Sequence, residues 1–360
     1  MPWSPATRPF RSDGTPGGLS DQPVAGQAGQ VLISLPQDVA DNIRQLFRER
    51  GTRWLAELPG LVDARCAAWG LEVIGDGFGG GTHSYVAPVR RSDGSMAVLK
   101  VPVVDEENVG EPTGLFCYQG EGAVRLYEFD SESGAMLLEW ARPGTELVYQ
   151  PGFPSLEGRP ENVDKVELAC RLYRRLRREP VSVPTGYPAL PTAADMVAEW
   201  NRLFVDPQPA VVQVLPMPLL ERAAEWCEKL AVPDGPLLIV NRDTHLGNIV
   251  AAEREPWLLI DPKAYLGEAA FDAGFLVMIQ VQTAPEPEHA GRVIERTATA
   301  LDVDADRARG WAFMRAMEEI VWAVEDEEPD DLRLHLAVAT ALAGTSSEDS
   351  LRFAIRMSGS

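Results

Sequence analysis

The spacing of apolar positions changes twice along this chain. Over residues 37–68, Val39, Ile43, Leu46 and Phe47, then Trp54, Leu55, Leu58 and Leu61, recur every three or four positions, which predicts one or two helices broken near Pro59. From Leu71 the spacing shortens to alternation. The stretches "LEVIG", "SYVAPV" and "MAVLKV" read as a three-strand meander turning at Ser92-Asp93-Gly94. A short helix is expected over 105–117, and "AVRLYEF" and "AMLLEW" add two strands across Ser133-Gly134. Beyond Pro143 helical spacing returns over 161–178, 193–204, 216–231, 268–283, 287–300, 304–325 and 330–343, with a hairpin-like stretch at 236–261 inserted among them. In 304–325 the recurrence of Met314, Met317, Val321 and Val324 marks a core stripe. The pattern is α+β: a flexible Pro- and Gly-rich tail over 1–30, a small β-rich lobe over 31–140 and a larger helical lobe over 141–360.

Composition narrows the partners. With 360 residues and 45% hydrophobic content the chain can bury a core. Its 33 basic and 54 acidic residues give a net charge of −21, which disfavours nucleic acid or an anionic membrane and favours a cationic small molecule. Cys66, Cys117, Cys170 and Cys227 lie far apart with no C-x-x-C pair, so neither a zinc site nor a disulfide framework is expected. No stretch approaches the ~18 apolar residues of a membrane span, and the first thirty residues lack the apolar segment of a signal peptide, so a cytoplasmic location is expected. None of this fixes an oligomeric state.

Candidate chemistry begins at "GDGFGG", residues 75–80, a literal G-x-G-x-x-G. A dinucleotide site needs a helix to open there, whereas "GTHSYVAPVR" reads as a returning strand. A glycine loop inside a hairpin is how kinases cover nucleotide phosphates, here with Gly80, Gly81, Thr82 and Ser84 as the contact candidates. Lys100 ends the apolar strand "MAVLK", where an ammonium needs water or an anion. Its expected partner is Glu111, with Glu107 as the alternative.

In "LLIVNRDTHLGNIV", Asp243 and Asn248 have the D-x-x-x-x-N spacing of a kinase catalytic loop, in which the Asp accepts the acceptor's proton and the Asn ligates Mg²⁺. The next apolar run, "WLLID", delivers Asp261 where kinases place the metal-bridging carboxylate. One amide, one carboxylate and phosphate oxygens suffice for Mg²⁺. His245 gives "DTH" the look of a phosphoesterase metal pair, but His83, His289 and His335 are scattered, so His245 is read as orienting the loop through backbone. In the acid-rich "EEIVWAVEDEEPDD", Glu318, Glu319, Trp322, Glu325 and Asp326 are candidates for binding a cationic acceptor.

The stretches "RWLAELPGLVDARCAAWGLEV", "GGGTHSYVAPV", "AVLKV", "GEGAVRLYEFD", "AMLLEW", "RDTHLGN" and "EPWLLIDPKAYLGEAAFDAG" together resemble the streptomycin 6-kinase and hydroxyurea phosphotransferase branch of the aminoglycoside phosphotransferases. The resemblance implies a bilobal protein-kinase-like fold and an Mg²⁺-dependent kinase that transfers the γ-phosphate of ATP or GTP to a hydroxylated antibiotic. It implies Lys100 and Glu111 as the phosphate-binding pair, Asp243 as catalytic base, Asn248 and Asp261 as Mg²⁺ ligands, and Glu139, Trp140 and Ala141 as the hinge that reads the purine. One departure stands out: the family usually has His-Gly before the catalytic Asp, and this chain has Asn241-Arg242. Two alternatives stay open: a different acceptor, such as a nucleoside or peptide antibiotic, and a catalytically silent kinase-like binding protein.

Overall fold

The computed structural model describes residues 33–79, 81–149, 164–205, 207 and 214–344. The predicted tail over 1–30 lies outside them, as does Gly80. The chain divides into two compact units. The first takes in the chain through Gly120, with Val124–Ala141 and Pro184–Pro188; the second holds Glu121–Ala123, Arg142–Val183 and the chain from Ala189 on.

Unit one is built on a five-stranded antiparallel sheet: β1 (Leu71–Val73), β2 (Ser84–Arg91), β3 (Met96–Pro102), β4 (Leu126–Phe129) and β5 (Met136–Glu139), in the spatial order β1-β2-β3-β5-β4. Register places Tyr85 opposite Val101, Ala87 opposite Leu99 and Val89 opposite Ala97. Because side chains alternate faces along a strand, these six share one face. They form a single core with Val39, Ile43, Trp54, Leu58, Val62 and Cys66 of the helix Gln37–Trp69. Burial of each large side chain in such a core is worth roughly 1.5–3 kcal/mol. Lys100, between Leu99 and Val101, is therefore on the opposite face.

The Gln37–Trp69 helix breaks at Arg48 (φ 49°, ψ −122°) and not at the expected Pro59, through which helical structure continues. The cause is a tertiary close approach. A Cβ at Gly51 would collide with the Ile43 carbonyl, so only glycine lets the chain fold onto itself there. The helix expected over 105–117 is shorter, Glu111–Tyr118, because the Asp105 carboxylate caps a preceding turn by accepting from the amides of Glu107 and Asn108. Residues 184–188 join this unit through Tyr187, whose ring meets Phe116 and Phe129, and through Pro188, whose carbonyl accepts from Thr113 Oγ1 at 2.7 Å.

Unit two contains the helices Lys165–Leu176, Ala193–Val205, Met217–Leu230, Ala273–Val281, Pro287–Leu301, Ala305–Glu325 and Pro329–Ala343. The helix expected over 268–283 starts late, after a 3₁₀ turn at Ala269–Asp272. The stretch expected to form one hairpin at 236–261 instead divides between two sheets. Strand β7 (Leu238–Asn241) pairs with β10 (Ala264–Gly267). Strand β8 (Ile249–Ala252) lies between β6 (Pro143–Glu146) and β9 (Trp257–Leu259). The connections 242–248 and 260–263 thus both run between the two sheets. Ala305–Glu325 is the central helix, buried on all sides from Gly310 to Ala323. None of the helices among the described residues is long and apolar enough to cross a membrane.

Candidate active site

In unit one the Lys100 ammonium lies 2.7 Å from both carboxylate oxygens of Glu111, which has no exposure to water. Glu111 sits in the first turn of its helix, where the helix dipole favours a carboxylate. Lys100 is opposite Val86 on β2 and Met136 on β5, so the ion pair is set into the middle of the sheet. The glycine stretch forms the β1–β2 hairpin connection, as strand-to-strand reading predicts. The Gly77 amide donates to Ser34 O at 2.9 Å and that of Phe78 to Val86 O at 2.7 Å. A Cβ on Gly77 would stand 2.9 Å from both Ser34 O and the Tyr85 ring, so this glycine lets the loop lie against its own lobe.

Thr82 Oγ1 lies 2.6 Å from His83 Nδ1, and the buried His83 ring meets Phe47 edge-on. Ser84 opens β2, and Gly81 O accepts from Asn42 Nδ2. Glu139 ends β5 and its carboxylate accepts from the Arg125 amide at 3.0 Å. Trp140 follows, 6.1 Å from the Phe78 ring, and Ala141 is the last residue of the unit in this stretch.

In unit two Asp243 and Asn248 are brought together: Asn248 Nδ2 donates to Asp243 Oδ2 at 3.2 Å. His245 Nε2 is 3.4 Å from the same Asp243 oxygen, and its Nδ1 accepts from the Gly247 amide at 3.0 Å. The expected backbone role of His245 is present, and its contact with Asp243 is an addition. Burial alone would raise the Asp243 carboxyl, yet His245 and Lys263 hold it below the usual range against the opposing charge of Asp261. Burial would likewise lower His245, but Asp243, Asp261 and Glu146 raise it. Asp243 is thus ionised and ready to accept a hydrogen bond.

The second connection lies beside the first. The Ile260 amide donates to Asn248 O at 2.8 Å and the Arg242 amide to Lys263 O at 2.9 Å. Asp261 takes a left-handed conformation (φ 48°) with Lys263 Nζ at 3.2 Å from its Oδ1. A non-glycine residue in that region carries strain held by its surroundings, here by these two cross-connections. The donor set fits Mg²⁺: Asn248 uses its Nδ2 on Asp243, which leaves the amide oxygen, and Asp261 is 38% exposed at its side chain. Among the described residues no group of three or more His, Cys, Asp or Glu is arranged as an all-protein metal cage, and Mg²⁺ ordinarily takes one or two protein ligands plus phosphate.

Several supporting residues were not singled out from the sequence. Asp272, fully buried, accepts from the Asn241 amide at 2.7 Å and from Arg177 Nε at 2.6 Å. Thr244 donates to Asp272 O at 2.9 Å and accepts from the Leu276 amide at 3.1 Å. The only trace of these in the sequence is charge or hydroxyl inside apolar runs, as with Lys263 in "WLLIDPKAYLG".

The acceptor candidates are placed differently from one another. Glu318 and Glu319 are buried on the central helix. Glu318 accepts from Arg242 at 3.1 Å and from Arg315, and Glu319 from Arg315 at 3.3 Å. Burial would raise the Glu318 carboxyl, but Arg242 and Arg315 hold it down. The buried Trp322 ring faces the guanidinium groups of Arg242 (5.6 Å) and Arg315 (5.4 Å). Glu325 and Asp326, at the end of the helix, are exposed.

Comparison with known proteins places the chain in a family. The family model for aminoglycoside/hydroxyurea antibiotic resistance kinases matches residues 72–327. The chain is 32% identical over 319 residues to a streptomycin 6-kinase of Streptomyces griseus, covering 86% of this chain and 97% of that one. It is 31% identical over 327 residues to a hydroxyurea phosphotransferase of Kitasatospora aureofaciens, covering 87% of each. In fold it is similar to a choline/ethanolamine kinase family protein from Mesorhizobium loti, with TM-score 0.51 and 14% identity over 83% of this chain and 99% of the other. It is also similar to an aminoglycoside phosphotransferase crystallised with ADP and hygromycin B, with TM-score 0.50 and 13% identity over 78% and 97%. The fold is therefore the expected mixed α+β, protein-kinase-like one, with a small antiparallel sheet lobe and a helical part. A sheet lysine paired with a helix glutamate, an Asp-Asn loop and an Asp in the connection after β9 stand within the matched span, and the chain belongs to the aminoglycoside/hydroxyurea antibiotic resistance kinase family.

Proposed function

We infer that the protein is an Mg²⁺-dependent O-phosphotransferase that moves the γ-phosphoryl group of a nucleoside triphosphate to a hydroxyl of an antibiotic, with a streptomycin-type aminoglycoside as the first acceptor to test. The observation that carries this reading is the Asp243–Asn248 hydrogen bond at 3.2 Å, which joins an ionised carboxylate to an amide in one loop. Relatives named streptomycin 6-kinase support the acceptor class.

Asp243 orients the acceptor alcohol and takes its proton as the alcohol oxygen bonds to the γ-phosphorus. The bond from phosphorus to the β,γ-bridging oxygen breaks, and the nucleoside diphosphate leaves with that oxygen. Asn248 and Asp261 would hold Mg²⁺, which would supply charge neutralisation on the phosphate oxygens. Lys100, fixed by Glu111, binds the α- and β-phosphates, and the amides of the loop at Gly80, Gly81, Thr82 and Ser84 cover the nucleotide. Glu139, Trp140 and Ala141 present backbone groups to the purine. His245 keeps Asp243 oriented and charged.

One observation favours a second acceptor class. Glu318 and Glu319 are already matched with Arg242 and Arg315, which leaves Glu325 and Asp326 as the acids among those acceptor candidates that face water. A neutral hydroxylated acceptor needs no such acids, and one relative is named hydroxyurea phosphotransferase. A transfer assay with Mg²⁺ and ATP or GTP against streptomycin, other aminoglycosides, hydroxyurea, nucleoside antibiotics and peptide antibiotics decides between them. A product heavier by one phosphoryl group identifies acceptor and donor together. Nucleotide binding without product on any compound would contradict the reading and favour a silent binding protein.

A further inference from the structure

The central helix Ala305–Glu325 carries Arg315, Glu318 and Glu319 within its buried span. Buried charges are strongly destabilising unless matched, and these three amount to one cation against two carboxylates. The fourth member comes from the catalytic loop. Arg242 reaches Glu318 at 3.1 Å with its guanidinium against the Trp322 ring, and only 8% of its side chain is exposed. Arg242 brings a second cation to the two carboxylates.

The location of Arg242 gives this pairing a functional consequence. It immediately precedes Asp243, and its amide is tied to Lys263 O, two residues beyond Asp261. On the other side Thr244 is fixed to Asp272 and to the Leu276 amide. Asp243 is the residue between these two buried anchors, with 21% of its own side chain exposed. Arg242, in contrast, is buried against Glu318 and the Trp322 ring.

We propose that Arg242 is the positioning residue for Asp243 and that Glu318, which Arg242 shares with Arg315, is the counter-ion that holds it, the two acting as one unit. The inference rests on the phosphotransferase reading and adds to it a determinant on a helix 76 residues away in sequence. The same charge match explains why Glu318 and Glu319 are buried while Glu325 and Asp326 of the same acidic run face water.

The test is a double-mutant cycle in the full chain with Arg242→Met, Glu318→Gln, the double variant and Arg242→Lys. Each single change lowers kcat about tenfold or more through misplacement of the base, with nucleotide KM within about twofold of wild type. The double variant is no slower than the worse single, because both changes remove one contact. Arg242→Lys, which keeps the charge, recovers part of the loss. Wild-type turnover in Arg242→Met, or losses that multiply in the double variant, would overturn the proposal. A contribution to folding alone would lower the melting temperature without separating kcat from KM.

Failure of the underlying reading is distinguishable. If the wild-type protein transfers to no acceptor, that reading fails, and the pairing is read by hydrogen exchange of the 240–249 amides. Faster exchange in each single variant with no further gain in the double supports the unit. Unchanged protection in Arg242→Met, or gains that multiply, contradicts it.

Discussion

Both carboxylate oxygens of Glu111 lie 2.7 Å from the Lys100 ammonium, on the sheet face opposite the main core of the small lobe. Removing either partner has unequal consequences. Lys100→Met takes the cation from a fully buried carboxylate and is expected to cost about 3–5 kcal/mol in chemical denaturation. Glu111→Gln removes the charge on the buried partner instead and is expected to cost less. Both weaken nucleotide binding, measured by calorimetry. Unchanged nucleotide affinity in Lys100→Met would remove the lysine from the binding site.

This pair was legible in the sequence because strand parity fixes the side of Lys100 and a short helix follows at once. The meeting of Asp243 and Asn248 was legible from their spacing in one loop. What spacing does not contain is the partner that arrives from elsewhere. The break at Arg48 depends on Gly51 meeting the Ile43 carbonyl, so a search for proline chose Pro59 instead. The apolar runs around Asp243 look like one hairpin, yet β7 finds β10 and β8 finds β6 and β9. Glu318 and Glu319 read as acids open to a cationic acceptor because Arg242, which pairs with Glu318 inside the lobe, is remote in sequence.

Thr244 offers a test of the loop's support that leaves charge untouched. Thr244→Val keeps the side-chain shape but leaves the Leu276 amide without its acceptor and Asp272 O without this donor. The expected loss is about 1–3 kcal/mol in urea denaturation. Turnover should fall more than nucleotide affinity, and Thr244→Ser should restore most of both. A neutral Thr244→Val would show that the loop is held by other contacts.

His335, on the helix Pro329–Ala343, supplies a pH dependence outside the catalytic loop. Burial pushes its imidazole down to about 4; Asp331 opposes the shift and Arg315 adds to it. Between pH 4 and the ordinary value near 6.5, the unfolded chain binds more protons than the folded one. The stability associated with neutral His335 is therefore complete above that window and lost as pH falls through it, by about 3 kcal/mol in total. Denaturation of wild type and His335→Leu across pH 4–7 checks this, because the variant should show a shallower acid loss. Identical pH profiles would contradict the assignment.

The central claim is that Asp243 is the base of a phosphoryl transfer, and it is tested most directly by comparing wild type with Asp243→Asn. The acceptor is whichever compound the wild-type protein phosphorylates, and nucleotide affinity is measured on the same samples. The account predicts a fall in kcat of about 10²–10⁴-fold with nucleotide affinity essentially retained. Turnover within a few-fold of wild type in Asp243→Asn would contradict it.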